Sequence, residues 1–173
     1  MPTAVNLVLL GFRLTIGFVF LAHGWNHIFG GGKIAGTGRW FESLGMKPGW
    51  LHAWTASLTE LGAGVLLILG LLTPLAGAGV IGTMLVALIT NHLRNGFFIF
   101  RPGEGYEYVL TLIACGVGLA GTGAGRFSLD NAFGIFTPPG WVGLLIGVLA
   151  GGVGGAGLLV TFWRPPARTT PAE

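Results

Sequence analysis

Long apolar runs alternate with short polar connections along the chain, and the runs have the length of membrane crossings. About 20 mostly apolar residues cross a bilayer as a helix. Residues 5–27 meet that length with one interruption, Arg13. The connection 28–50 opens with Gly30-Gly31-Gly32 and carries Lys33, Arg39, Glu42 and Lys47. Within it, Arg39-Trp40-Phe41-Glu42-Ser43-Leu44-Gly45 reads as a short helix with Gly45 as its C-cap, lying on the membrane interface. A second span is expected over 51–72 with Glu60 inside it, and Thr73-Pro74 is expected to end it, because proline disfavours helix in the residue before it. A third follows almost at once over 75–93, closing on Thr90-Asn91-His92, so the two form a tight hairpin. After the polar loop 94–105, a short fourth span is expected over 106–121, opening with Glu107. A last polar loop and Pro138-Pro139 lead to a fifth span over 140–163. There Gly143, Gly147, Gly151 and Gly155 form a ladder of four-residue spacing, which implies close backbone packing on a neighbour, either within the chain or across a homo-oligomer. The tail 164–173 holds three prolines and is expected to be disordered. These elements predict an all-α fold, an integral membrane helical bundle forming a single transmembrane domain over 1–163.

Composition agrees. Charged residues make up 9% of the chain and hydrophobic residues 52%, whereas soluble domains carry about 25% charge. The net charge of +3 comes from loop residues, and no basic cluster interleaved with aromatics is present, so no nucleic-acid partner is expected. The lone cysteine, Cys115, allows neither an intramolecular disulfide nor a CxxC redox centre, and its apolar setting implies a packed, inert thiol. No Lys or Arg occurs in the first ten residues, so the first run reads as a retained span rather than a signal peptide.

With five spans the two termini fall on opposite sides. Lys33, Arg39, Lys47, Arg94, Arg101, Arg164 and Arg168 share one side, and Arg13 and Arg126 the other. The positive-inside rule then places the N-terminus outside and the C-terminus in the cytoplasm. The same alternation gathers the polar groups of four spans at one end: His23 and His27, four apart on the first, then Glu60, then Asn91 and His92, then Glu107. Ionisable groups at membrane depth are rare and face the bundle interior or a partner. Glu60, His23 and His92 are therefore candidate catalytic residues acting as one unit, with His27, Asn91 and Glu107 as candidate ligand-binding residues. Arg13 lies about 15 Å from His23 along the helix, and Asp130, in the only polar loop at that end, is its expected ion-pair partner.

Several motifs in order resemble the DoxX family of bacterial membrane proteins. They are Arg13-x3-Gly17-x2-Phe20-x2-His23-Gly24, the run from Glu60-Leu61-Gly62-Ala63-Gly64 to Thr73-Pro74, the segment Thr37 to Gly45, Asn95-Gly96-Phe97-Phe98, and the loop Gly121-x-Gly123-x2-Arg126-x-Ser128-Leu129-Asp130. The resemblance covers roughly residues 9–133 and implies a four-span core, to which this chain adds a fifth, glycine-rich helix. It further implies a bacterial inner-membrane protein associated with oxidoreductase assemblies, the family being named for a subunit of a thiosulfate:quinone oxidoreductase. The matching polar positions are Arg13, His23, Glu60, His92 and Asp130.

Four readings of the polar cluster stand side by side. A quinone headgroup needs hydrogen-bond donors at its carbonyls and a proton source on reduction, which histidine and carboxylate supply. A metal or haem site has the ligand types but only the partial His23/His27 spacing, with no HExxH or CxxC, and no metal is expected. A structural polar clamp that also binds a partner is the third. Transport is the fourth, without the broken-helix repeats transporters use. The expected function is a membrane subunit of an oxidoreductase system facing quinone, with a protein partner supplying electrons. The alternative is a non-catalytic membrane anchor for a soluble partner enzyme.

Overall fold

The computed structural model describes residues 1–135 and 140–166. Pro138-Pro139 and most of the proline-bearing tail, with Arg168, lie outside the described residues. The apolar runs form helices α1 (Thr3–Phe29), α3 (Gly49–Leu69), α4 (Thr73–Ala87), α5 (Glu107–Thr122) and α7 (Trp141–Phe162); α2 (Lys33–Ser43) and α6 (Leu129–Phe133) sit in connections. Among the described residues, four helical stretches are long and apolar enough to cross a membrane: α1, α3, α4 with its continuation to Asn95, and α7. The fourth expected span, α5, is shorter and apolar, with 16 residues.

Three boundaries move for identifiable reasons. The second helix stops at Leu69 rather than at 72, because Gly70 takes a left-handed conformation (φ 63°) as its cap. Thr73-Pro74 then begins α4 instead of ending α3, since the first turn of a helix has no use for the N–H that proline lacks. The connection helix α2 starts at Lys33, earlier than expected, and its glycine stop is Gly45 (φ 88°).

Glycine pairs bring the helices together. A Cβ on Gly17 would meet the Gly64 carbonyl, and one on Gly64 the Gly17 carbonyl, which fixes the α1–α3 crossing. Gly77 and Gly116 do the same between α4 and α5. Such close backbone approach is the usual basis of helix association in lipid, where burial of apolar side chains gives little net drive. Between the helices, Leu9, Ile16, Phe20, Leu67, Val80, Leu112 and Leu119 fill a common core.

The glycine ladder of α7 faces inward. A side chain at Gly143 or Gly147 would strike Ala120 of α5, and one at Gly151 or Gly155 would strike the carbonyls of Ala78 or Gly82 in α4. The ladder is therefore an intrachain seam, and the homo-oligomer contact considered for Gly143, Gly147, Gly151 and Gly155 is occupied by this chain's own helices. The far end of α7 is tied to the α2–α3 turn: the Arg164 N–H donates to the Gly45 carbonyl, Lys47 N–H to the Phe162 carbonyl, and the Trp163 indole to the Leu44 carbonyl. Trp25, Trp40, Trp50 and Trp54 are exposed around this same end, as an aromatic belt at a membrane boundary requires.

Candidate functional site

At the opposite end the chain reverses between α3 and α4, and the two most buried charges meet there. The last carbonyls of a helix and the first N–H groups of the next have no partner within their own helices. Arg13 is fully buried. Its guanidinium donates to the Leu67 carbonyl (3.1 Å), at longer range to Ile68, and to the Phe127 carbonyl. Asp130, also buried, accepts from the N–H groups of Leu72 (2.7 Å) and Thr73 (3.0 Å), and its own N–H donates to the Gly70 carbonyl. A cation thus closes the C-terminus of α3 and an anion the N-terminus of α4, each matching the helix dipole it faces. The direct Arg13–Asp130 ion pair expected from the sequence is not formed. Both side chains spend their hydrogen bonds on the backbone of one turn, including Leu72 in its left-handed conformation (φ 48°).

The other end holds a cavity of about 570 Å³. It lies between the last turns of α1, the first half of α3, the far half of α4, the start of α5 and the glycine face of α7. All four histidines of the chain line it: His23, His27, His52 and His92. Glu60, Thr55, Thr59, Thr83, Asn91, Glu104 and Tyr108 add further polar groups, set among Phe41, Met46, Ala56 and Leu158. An apolar cavity with a few convergent polar groups is the usual form of a small-molecule site.

Glu60 is buried at 4% exposure. Its Oε2 lies 3.2 Å from His27 Nδ1, the one close contact between an acidic and a basic side chain among the described residues, and neither atom is in hydrogen-bond geometry with a protein group. The imidazole against Glu60 is therefore His27 rather than His23 or His92. Helix rotation decides this. Gly24 packs on the Ser57 carbonyl of α3; at about 100° per residue His27 lies about 60° from Gly24 and His23 about 100°. His23 is exposed and stands at the cavity's edge.

His92 and Asn91 lie where α4 widens into a π-helical turn, Leu88–His92, a form that recurs at functional sites. Thr90, Asn91 and His92 all line the cavity. His92 Nδ1 is 2.9 Å from the Glu104 carbonyl and its Nε2 is 3.2 Å from the Asn91 amide. Asn95 also donates to the Gly103 and Glu104 carbonyls, so the loop before α5 is pinned over the π-helical turn.

Two cavity residues escape a reading by sequence and one is misplaced. His52, which the residue pattern does not single out, is 3% exposed, stacks edge-on against Phe162, and its Nε2 has no hydrogen-bonding protein group. Its signal was the spacing His52, Ala56, Glu60, one stripe of a helix. Glu104, in a left-handed conformation (φ 62°), lines the cavity where Glu107 was expected. Glu107 is half-buried in the first turn of α5, where a carboxylate suits the helix N-terminus. Cys115 is half-buried in α5, away from this cavity. No cluster of three His, Cys, Asp or Glu side chains fit to hold a metal occurs among the described residues.

Residues 8–93 match the DoxX family model. That stretch covers α1 to the end of the π-helical turn and carries Arg13, His23, His27, His52, Glu60 and His92. No curated protein and no solved structure gives a significant match to the chain. With helices fit to cross a bilayer and this domain match, the chain is an integral membrane protein that belongs to the DoxX family.

Proposed function

We propose that the chain is the membrane subunit of an oxidoreductase system and that its cavity receives a quinone headgroup. The observation that carries this reading is a set of three buried side-chain atoms without a hydrogen-bonding protein group, all in residues lining one apolar cavity: Glu60 Oε2, His27 Nδ1 beside it, and His52 Nε2. A buried polar atom without a partner costs roughly 1–3 kcal/mol, and a quinone ring, with one oxygen at each end, would relieve that cost on the Glu60 side and at His52. His27 beside Glu60 gives a route for protons, and a protein partner delivers the electrons. The chain itself binds, orients and protonates.

Glu60→Gln tests the reading. It keeps shape and hydrogen bonding but cannot take or release a proton. The variant complex should melt as the wild type does and keep its partner, yet lose quinone-dependent turnover by about 100-fold or more, the usual scale of a lost general acid. Undiminished turnover in a well-folded Glu60→Gln complex would remove Glu60 as a proton carrier and favour a non-catalytic anchor for a soluble enzyme.

In the bacterial inner membrane this cavity faces the cytoplasmic side, with the N-terminus outside, on the strength of the Lys and Arg asymmetry. A reporter fused after Glu173 should be active only in the cytoplasm; periplasmic activity would reverse the orientation.

A further inference from the structure

An apolar groove begins on α5 beside the cavity. His23 of α1 and Tyr108 of α5 both line the cavity, and both are exposed. These two helices touch only lightly; between them runs a second hollow of about 530 Å³. On α1 it is lined by Val8 and Phe12, on α5 by Leu110, Thr111, Cys115 and Gly118. Tyr108 belongs to the cavity and Leu110 and Thr111 to the groove, so on α5 the two hollows are less than one turn apart. The groove then follows α5 to Thr122, about 18 Å at the rise of a helix. Its walls are almost wholly apolar, whereas the cavity gathers the histidines. A polar pocket at the membrane boundary, with an apolar furrow that starts within one turn of it on α5, suits a molecule with a flat polar head and a long apolar tail.

We propose that the α1–α5 groove holds the prenyl tail of a lipid-soluble quinone, which enters the cavity sideways from the bilayer past His23 and Tyr108. This rests on the headgroup reading of the cavity and adds the substrate class: membrane-dissolved, long-tailed quinones rather than water-soluble ones. The tail lies against Phe12 and the Thr111–Cys115–Gly118 stripe, with its head toward Glu60. Because the groove contributes binding only to tailed ligands, head and tail can be separated by experiment.

Gly118 provides the handle. A side chain there meets nothing within 4 Å, and the residue lines the groove, so Gly118→Phe fills the furrow without disturbing a helix seam. Binding to purified full-length protein is measured for a decaprenyl quinone and for the same headgroup without a tail. In the wild type the tailed quinone should bind at least tenfold more tightly. In Gly118→Phe it should lose at least tenfold while the tail-less headgroup is unchanged. A tailed quinone carrying a diazirine at mid-tail should crosslink to peptides of residues 8–12 and 110–122. Unchanged binding of both quinones in the variant, or crosslinks elsewhere, overturns the groove proposal and leaves the headgroup reading intact. Displacement of the tailed quinone by phospholipid alone would assign the groove to an acyl chain and also overturn it. Binding of neither quinone to the wild type removes the headgroup reading and the groove proposal together.

Discussion

Arg13→Gln and Asp130→Asn should each cost about 3 kcal/mol, lowering the melting temperature of the detergent-solubilised protein by roughly 10 °C. Arg13 supplies charged hydrogen bonds to carbonyls of α3 and of the loop before α6. A neutral amide cannot reach both, and the carbonyls it abandons lie in a buried place. Asp130 caps two N–H groups at the start of α4; an amide in its place must turn one NH2 donor toward another donor. Arg13→Lys should recover only part of the loss, because one ammonium lacks the forked geometry of a guanidinium. Arg126→Gln, an exposed arginine at the same end, should change little.

The double variant Arg13→Gln/Asp130→Asn carries the sharper result. The two side chains do not touch as an ion pair, yet both hold the turn Gly70–Thr73. Once either is lost the turn opens, and the second loss finds less left to break. The combined cost should fall short of the sum by about 1 kcal/mol or more. Strict additivity would show that the two charges act on separate parts of the fold.

That turn marks the boundary of what residue pattern conveys. The lengths of the apolar runs specify the five long helices to within a few residues, because a bilayer leaves backbone groups no partner except their own helix. Arg13 and Asp130 can be assigned to one end by counting alternate loops. Their partners cannot, since the orphan carbonyls and N–H groups they serve exist only once Gly70 has stopped α3. Likewise the spacing of His23 and His27 puts both on one face, but only the Gly24 contact with α3 turns His27, and not His23, toward Glu60. The inward direction of the α7 ladder was equally hidden. Glycine at every fourth position announces a close neighbour and says nothing of whose helix it is. His52 was lost at a span edge, where apolar patterning fades just as the cavity begins.

Filling the cavity should abolish ligand retention without harming the fold. Gly154 lines the cavity, and a side chain there meets nothing within 4 Å. A phenyl group at this position would take up space in the cavity that Glu60 and His52 also line, while Gly151 and Gly155 keep their contacts with α4. Gly154→Phe should therefore melt within about 1 kcal/mol of the wild type, as substitutions clear of packed seams do. It should nonetheless lose the quinone-dependent turnover of the assembled complex, as Glu60→Gln does, but through exclusion rather than proton transfer.

The measurement that bears most directly on the central claim is the quinone content of the protein itself. Wild type and Gly154→Phe are solubilised mildly from native membranes, purified in parallel and extracted, and the quinone is quantified against protein. Stoichiometric quinone in the wild type with none in equally folded Gly154→Phe is the predicted result. Wild-type protein devoid of quinone, or equal amounts in both, would contradict a quinone site in this cavity.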